Sequence, residues 1–153
     1  MLTHPIKIRK ATLDDVQDIT PLIAELFHVI DHPPRDSFDH VVENYRTIMK
    51  DSSHHILLAF IGEEVVGLIH FFIRPTLIHT GPSALIDELV VAKTHHGRGI
   101  GSQLISKVVD MCRDFGCEEL EVGTETSNTK ARKFYRQCGF DREAVLLEME
   151  IED

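Results

Sequence analysis

The stretch Gly97–Arg98–Gly99–Ile100–Gly101 falls between an apolar strand pattern and an amphipathic helix pattern. Glycines there leave backbone N–H groups open to an anion. The helix that follows adds unsatisfied amides and the positive end of its dipole. Together they suit a phosphate or pyrophosphate, with Arg98 as a charged supplement. Two nucleotide-binding patterns are excluded. The P-loop spacing G-x-x-x-x-G-K-S/T does not occur. The spacing of Gly97, Gly99 and Gly101 is wrong for the dinucleotide pattern G-x-G-x-x-G. Of ten histidines, the adjacent pairs His54–His55 and His95–His96 are accompanied by neither H-E-x-x-H nor H-x-x-x-H, so no protein metal site is expected. Cys138 lacks a neighbouring base in sequence that would make it a nucleophile.

These groups belong to a chain of 153 residues, read as one domain over 1–153. Its 16 basic and 25 acidic residues give a net charge of −9, which argues against nucleic-acid binding. No apolar run reaches the roughly 20 residues that span a bilayer, so no membrane partner is expected. Cys112, Cys117 and Cys138 make an odd count without a C-x-x-C pair. With no apolar signal core in Met1–Lys10, this reads as a reducing, cytoplasmic protein.

Ile6 and Ile8 follow a strand pattern, and Thr12 with Asp15 marks a helix start. Val16, Ile19, Ile23, Leu26, Phe27 and Ile30 recur at helical spacing, with Pro21 expected to kink the helix or leave a bond unmade. Asp31–Asp36 reads as a loop. A second helix starts at Asp36 or Ser37, runs through Met49 and has Phe38 on its apolar side. Ile56–Ile61 and Val65–Ile73, joined at Gly62–Glu64, read as a hairpin. Ala84–Ala92 is a further strand that runs into the glycines. A helix then extends to Phe115 and stops at Gly116. Glu118–Gly123 alternates as a strand does. Thr126–Asn128 can cap a last helix ended by Gly139, and Phe140–Ile151 is expected to be the closing strand. This order predicts a mixed α/β or α+β domain.

Leu89–Val91 followed by His96–Gly97–Arg98–Gly99–Ile100–Gly101 resembles the acetyl-CoA loop of the GNAT N-acetyltransferase superfamily, Q/R-x-x-G-x-G/A after a Leu-x-Val-like strand. His96 departs from the Gln or Arg preferred there. Asn128–Thr129–Lys130–Ala131–Arg132–Lys133–Phe134–Tyr135–Arg136–Gln137–Cys138–Gly139–Phe140 resembles the second signature, N-x-x-A-x-x-F-Y-x-x-x-G-F. One helix and one strand separate the two, as in the family.

The resemblance implies a mostly antiparallel central sheet flanked by about four helices, with two strands splayed to hold acetyl-CoA. It implies that acetyl moves to an amine by direct attack. The backbone of Leu89, Val90 and Val91 would hold the pantetheine arm. His96, Gly97, Arg98, Gly99, Ile100, Gly101 and Ser102 would surround the pyrophosphate. Asn128 would reach the pantetheine, and Ala131 would leave room for it. Tyr135 would be the general acid, although it also lies on an apolar face where it could simply pack. Glu88 is the candidate base and Glu125 its rival, with His70 and His79 able to line the acceptor side. Because strand neighbours alternate, only one of Asp87 and Glu88 should face the cleft. Lys130, Arg132, Lys133 and Arg136 form a basic group that is either a solvated face or a nucleotide-phosphate contact. Family members often dimerise, so a homodimer is open. A catalytically silent acyl-CoA sensor of the same fold is the alternative function.

Overall fold

The computed structural model describes residues 4–29 and 39–153. The expected loop at Asp31–Asp36, the caps at Asp36 and Ser37, and Ile30 and Phe38 lie outside the described residues. The strands are β1 (Ile6–Lys10), β2 (His54–Ile61), β3 (Glu64–Arg74), β4 (Ser83–Val91) and β5 (Glu119–Val122). The helices are α1 (Val16–Phe27), α2 (Asp39–Met49), α3 (Ile100–Asp114) and α4 (Thr129–Gln137). The sheet order is β1-β2-β3-β4-β5, antiparallel except for the β4–β5 pair. Gly62, at φ 61°, closes the β2–β3 hairpin as its position in the sequence predicts. Among the described residues, no helix is long and apolar enough to cross a membrane.

Each face of the sheet has its own core. Ile19, Leu22, Tyr45, Ile56, Leu58, Leu68 and Val90 join α1 and α2 to one face. Leu57, Ile69, Phe71, Ala84, Ile86, Ile100, Leu104 and Val108 join α3 to the other. Gly67 sets how closely α3 approaches. A Cβ there would stand 3.0 Å from Ile100 and 3.1 Å from Leu104, so the bare backbone lets the first turn of α3 rest against β3. α1 runs unbroken through Pro21, which cannot donate to the carbonyl one turn back.

Asp15 ties the first strand to the helices. Arg9 donates two hydrogen bonds of 2.8 Å to its carboxylate, and the Thr12 N–H adds one of 2.7 Å. Tyr45 on α2 donates its hydroxyl to the Thr12 carbonyl. The Arg9 hydrogen bonds hold the Asp15 carboxyl at about 2, against the cost of burial. A lowered folded pKa means the stabilisation is present above the ordinary carboxylate range and is lost as pH falls from about 4 towards 2. Because Arg9 is half-exposed, its worth is discounted to about 1–2 kcal/mol. Asp15→Asn should lower stability by that amount at pH 7 and flatten the acid limb of denaturant melts. Coincident wild-type and variant curves at pH 7 would remove this role.

Two departures from alternation position the site. In the β3–β4 ladder Phe71 pairs with Ile86 and His70 with Glu88, so Asp87 is an extra residue and β4 bulges there. Side-chain parity flips across the bulge: Ala84 and Ile86 face the α3 core, and after it Leu89 and Val91 do. The β4–β5 pairing also ends here, at Ile86 with Val122. β5 ends at that pair, so β4 continues with no strand beside the Asp87–Val91 edge.

The expected closing strand at Phe140–Ile151 does not form within the chain. Residues 141–153 have no assigned strand pairing and are exposed. β5, the strand they would extend, offers its outer edge but is not joined to Arg142–Met149 by any backbone hydrogen bond among the described residues.

Candidate active site

The glycine loop begins where β4 ends. Gly97 and Gly99 adopt φ of 77° and 78°, a left-handed conformation that any side chain would strain. The first amide to close a helical bond is Gln103, donating to Gly99 at 3.1 Å. The N–H groups from Gly97 through Ser102 therefore have no acceptor among the described residues. Such a run of free donors, ending on a helix N-terminus, is an anion cradle. Arg98 is exposed beside it.

His96 braces the cradle from within. Its Nε2 lies 2.8 Å from the carbonyl of Val91 and ties the loop back to β4. Glu25 on α1 accepts the Lys93 N–H at 3.0 Å, which fixes the other side of the connection.

The opened edge of β4 carries the second set of donors and acceptors. Ala92 donates to Val66 at 2.8 Å, so the backbone groups of Ala92, and by alternation those of Val90, point to β3. Those of Leu89 and Val91 then point into the gap. Val90 sends its side chain into the α1–α2 core.

α4 lies across the start of α3. A Cβ at Gly101 would stand 3.0 Å from the Phe134 ring, and the Ser102 side chain lies beside the Cys138 thiol. These contacts bring Tyr135 to the cradle, held between the rings of Phe134 at 5.3 Å and Phe140 at 5.6 Å. Among the described residues its hydroxyl has no hydrogen-bond partner. Burial raises its pKa above 10.0. Burial likewise raises the Cys138 thiol, only partly offset by Ser102, which keeps it protonated and unsuited to nucleophilic attack. Asn128 caps α4, its Oδ1 accepting the Ala131 N–H at 3.0 Å.

On the opposite face the bulge corrects the alternation argument for Asp87 and Glu88, because both carboxylates reach His70. Glu88 Oε2 lies 2.5 Å from His70 Nδ1, and Asp87 lies 4.0 Å from the same nitrogen. The chain continues to His54, whose Nδ1 is 2.8 Å from His70 Nε2, and the far nitrogen of His54 is 4.0 Å from Asp51. Burial and the charge of Glu88 raise the Asp87 carboxyl. His54, His70 and Asp87 each offer a ligand atom within 4.8 Å of the others. A cation there would compete with the proton shared by the two rings.

His54 was missed as a partner in the sequence. The signal was its even parity with His70 across the hairpin, which places the two diagonally on one face. His79 is not part of this group; it bonds Thr76 and lies 3.7 Å from Glu119, at the far end of β5. Glu125 is exposed in the turn before α4. The basic group on α4 divides: Arg132 and Arg136 hold Glu143 at 2.9 and 2.7 Å, and Lys130 and Lys133 remain as exposed cations.

A β4 edge left without a strand partner past Ile86, a donor loop at its end and a largely buried tyrosine form one arrangement. The model of the acetyltransferase (GNAT) family matches residues 17–140. The chain belongs to this family. It is therefore an N-acetyltransferase, and the mixed sheet with four helices is the fold expected of one. The chain is 29% identical to the aminoalkylphosphonate N-acetyltransferase of Salmonella typhimurium, over 88% of this chain and 84% of that protein. It is 28% identical to the thialysine N-epsilon-acetyltransferase of Mus musculus, over 87% of this chain and 82% of the other. The structure of AAC(6')-Iy in complex with the bisubstrate analogue CoA-S-monomethyl-acetylneamine has the same fold, with a TM-score of 0.82 at 20% identity, covering 96% and 99% of the two chains.

Proposed function

We propose that the chain moves an acetyl group from acetyl-CoA to a primary amine by direct attack, within one domain spanning 1–153. The observation that carries this is the run of unpartnered N–H groups from Gly97 to Ser102 beside the opened edge of β4. The amides fit a pyrophosphate, with Arg98 and the Lys130–Lys133 pair as added positive charge. Leu89 and Val91 fit an extended pantetheine arm as an added strand would, and Val90 holds them in register. Asn128 and Ala131 border the arm where α4 begins. A relative named for aminoalkylphosphonate and a neighbour solved with a CoA bisubstrate analogue favour the same reading.

In this reading Glu88 removes a proton from the acceptor, directly or through water. His70 holds the carboxylate in place, and His54 extends the chain towards solvent. The amine nitrogen bonds to the thioester carbon, and the Leu89 N–H steadies the developing oxyanion. The carbon–sulfur bond breaks as Tyr135 gives its proton to the leaving thiolate. The paired carboxylates of Asp87 and Glu88 favour a cationic acceptor. The free thiols fit a cytoplasmic setting.

Calorimetric titration with acetyl-CoA, with NADH and ATP as controls, tests the proposal. Selective binding of acetyl-CoA, followed by thiol release with an amine, is expected. A folded sample that ignores acetyl-CoA would refute it. Binding with no thiol release across a broad amine panel would favour the silent acyl-CoA sensor.

A further inference from the structure

Three neighbouring strands each send one metal-ligating side chain to the same place. His54 stands on β2, His70 on β3 and Asp87 on β4. Register explains the meeting. Ile56 pairs with His70, so His54 lies one step along on the same face, and His70 pairs in turn with Glu88. Asp87 joins them because it is the bulge residue, and a bulge re-aims a side chain that strict alternation would turn away. A ligand set gathered across strands has no fixed spacing along the chain, so histidine motifs do not reveal it.

The two rings are aimed and backed within the fold. His70 is 5% exposed, and the His54 ring packs against it at 5.0 Å and against Phe72 at 5.2 Å. His54 Nδ1 faces His70 Nε2 at 2.8 Å. The outer nitrogen of each ring has a carboxylate on its side: Glu88 is 2.5 Å from His70 Nδ1, and Asp51 is 4.0 Å from His54 Nε2. Such backing orients an imidazole and strengthens its inner nitrogen as a metal ligand. With both rings neutral, His70 donates through Nδ1 to Glu88 and accepts at Nε2 from His54 Nδ1–H. A tautomeric shift on His54 moves that proton to Nε2, on the side of Asp51. Both inner nitrogens then offer lone pairs, and the pair loses no proton.

We propose that His54 Nδ1, His70 Nε2 and the Asp87 carboxylate bind a Zn²⁺ ion, which replaces the hydrogen bond between the rings. One ligand atom from each of the three residues already lies within 4.8 Å of the others. Two Zn–N bonds of about 2.0–2.1 Å at a tetrahedral angle set the nitrogens about 3.3 Å apart, so the rings need part by only about 0.5 Å. Asp87 is exposed and free to turn its carboxylate onto the ion. Two imidazoles and one carboxylate suit zinc, whereas Mg²⁺ and Ca²⁺ prefer oxygen throughout. Water takes the fourth position, on the solvent side of Asp87. Glu88 keeps its hydrogen bond to His70 and is not a ligand, so the site stands whichever residue serves as base. The ion ties β2, β3 and β4 together at the bulge.

Calorimetric titration of the chelator-treated full chain with Zn²⁺, and absorption with Co²⁺ as a spectroscopic substitute, test the site. One equivalent of Zn²⁺ should bind at micromolar concentrations. Tm should rise by roughly 5 °C at a hundredfold excess over Kd. Co²⁺ should give the d–d bands of a four-coordinate ion with no thiolate charge-transfer band. His54→Phe and Asp87→Ala should each weaken Zn²⁺ binding by more than the roughly 10–100-fold that loss of an outer partner costs. A folded wild type that binds no Zn²⁺ would overturn the proposal. Equal affinity in the wild type and both variants would also overturn it, as would a thiolate band with Co²⁺, because the ion would then be held elsewhere. Asp87→Ala, at an exposed position, decides the matter if His54→Phe does not fold.

Discussion

Gly99→Glu is expected to weaken acetyl-CoA binding at least about a hundredfold, which corresponds to a loss of roughly 3 kcal/mol. Two effects add. The backbone at φ 78° costs a side-chain-bearing residue about 1–2 kcal/mol, and holding the cradle's shape must absorb it. A carboxylate a few ångströms from a pyrophosphate adds repulsion of about 1–4 kcal/mol. No atom lies within 4 Å of a Cβ at this position, so the chain should still fold. Gly99→Ala separates the two effects by keeping the strain without the charge, and it should lose much less affinity. Calorimetry on variants with intact circular dichroism is the measurement. A folded Gly99→Glu protein that binds acetyl-CoA like wild type would remove the loop from the cofactor site.

Tyr135→Phe is expected to lower kcat by roughly 10²–10⁴, the usual worth of a positioned acid, while leaving acetyl-CoA affinity nearly unchanged. The substitution keeps the ring between Phe134 and Phe140. Because the hydroxyl has no hydrogen-bond partner among the described residues, its removal orphans no other group. The pH dependence sets a further condition. A pKa raised above 10.0 by burial keeps the phenol protonated through neutral pH, so any alkaline loss of kcat due to Tyr135 must fall above pH 10. Turnover of the variant equal to wild type at saturating substrate, across the accessible pH range, would leave the ring a packing residue only.

Much of this arrangement was legible in the sequence because it rests on local constraints. Gly97 and Gly99 announce positive φ, Gly116 and Gly139 end their helices, and Asn128 caps α4 three residues before Ala131. The pairs that sequence reasoning misjudged depend on register. Asp87 and Glu88 were assigned to opposite faces because strict alternation assumes no bulge. His54 went unmatched with His70 because their meeting requires the hairpin to be aligned at Ile56 with His70. Arg132 and Arg136 read as free charge, since their partner Glu143 lies beyond the helix. The stretch Phe140–Ile151 was read as a closing strand, and no strand forms there. What alternation alone does not specify is where such a strand finds its neighbours.

The bulge at Asp87 makes β4 behave like text with a shifted reading frame. Before the shift the even-numbered residues are apolar and meet α3; after it the odd-numbered ones do. Deleting Asp87 would close the bulge and leave a regular ladder, with Glu88 still opposite His70 and with Ile86 and Leu89 both still facing α3. Exchanging Asp87 for another residue of any kind would leave the frame untouched. An alignment with a chain that lacks the bulge must therefore place a gap at Asp87, and trading that gap for a mismatch would misplace the chemistry of the whole strand.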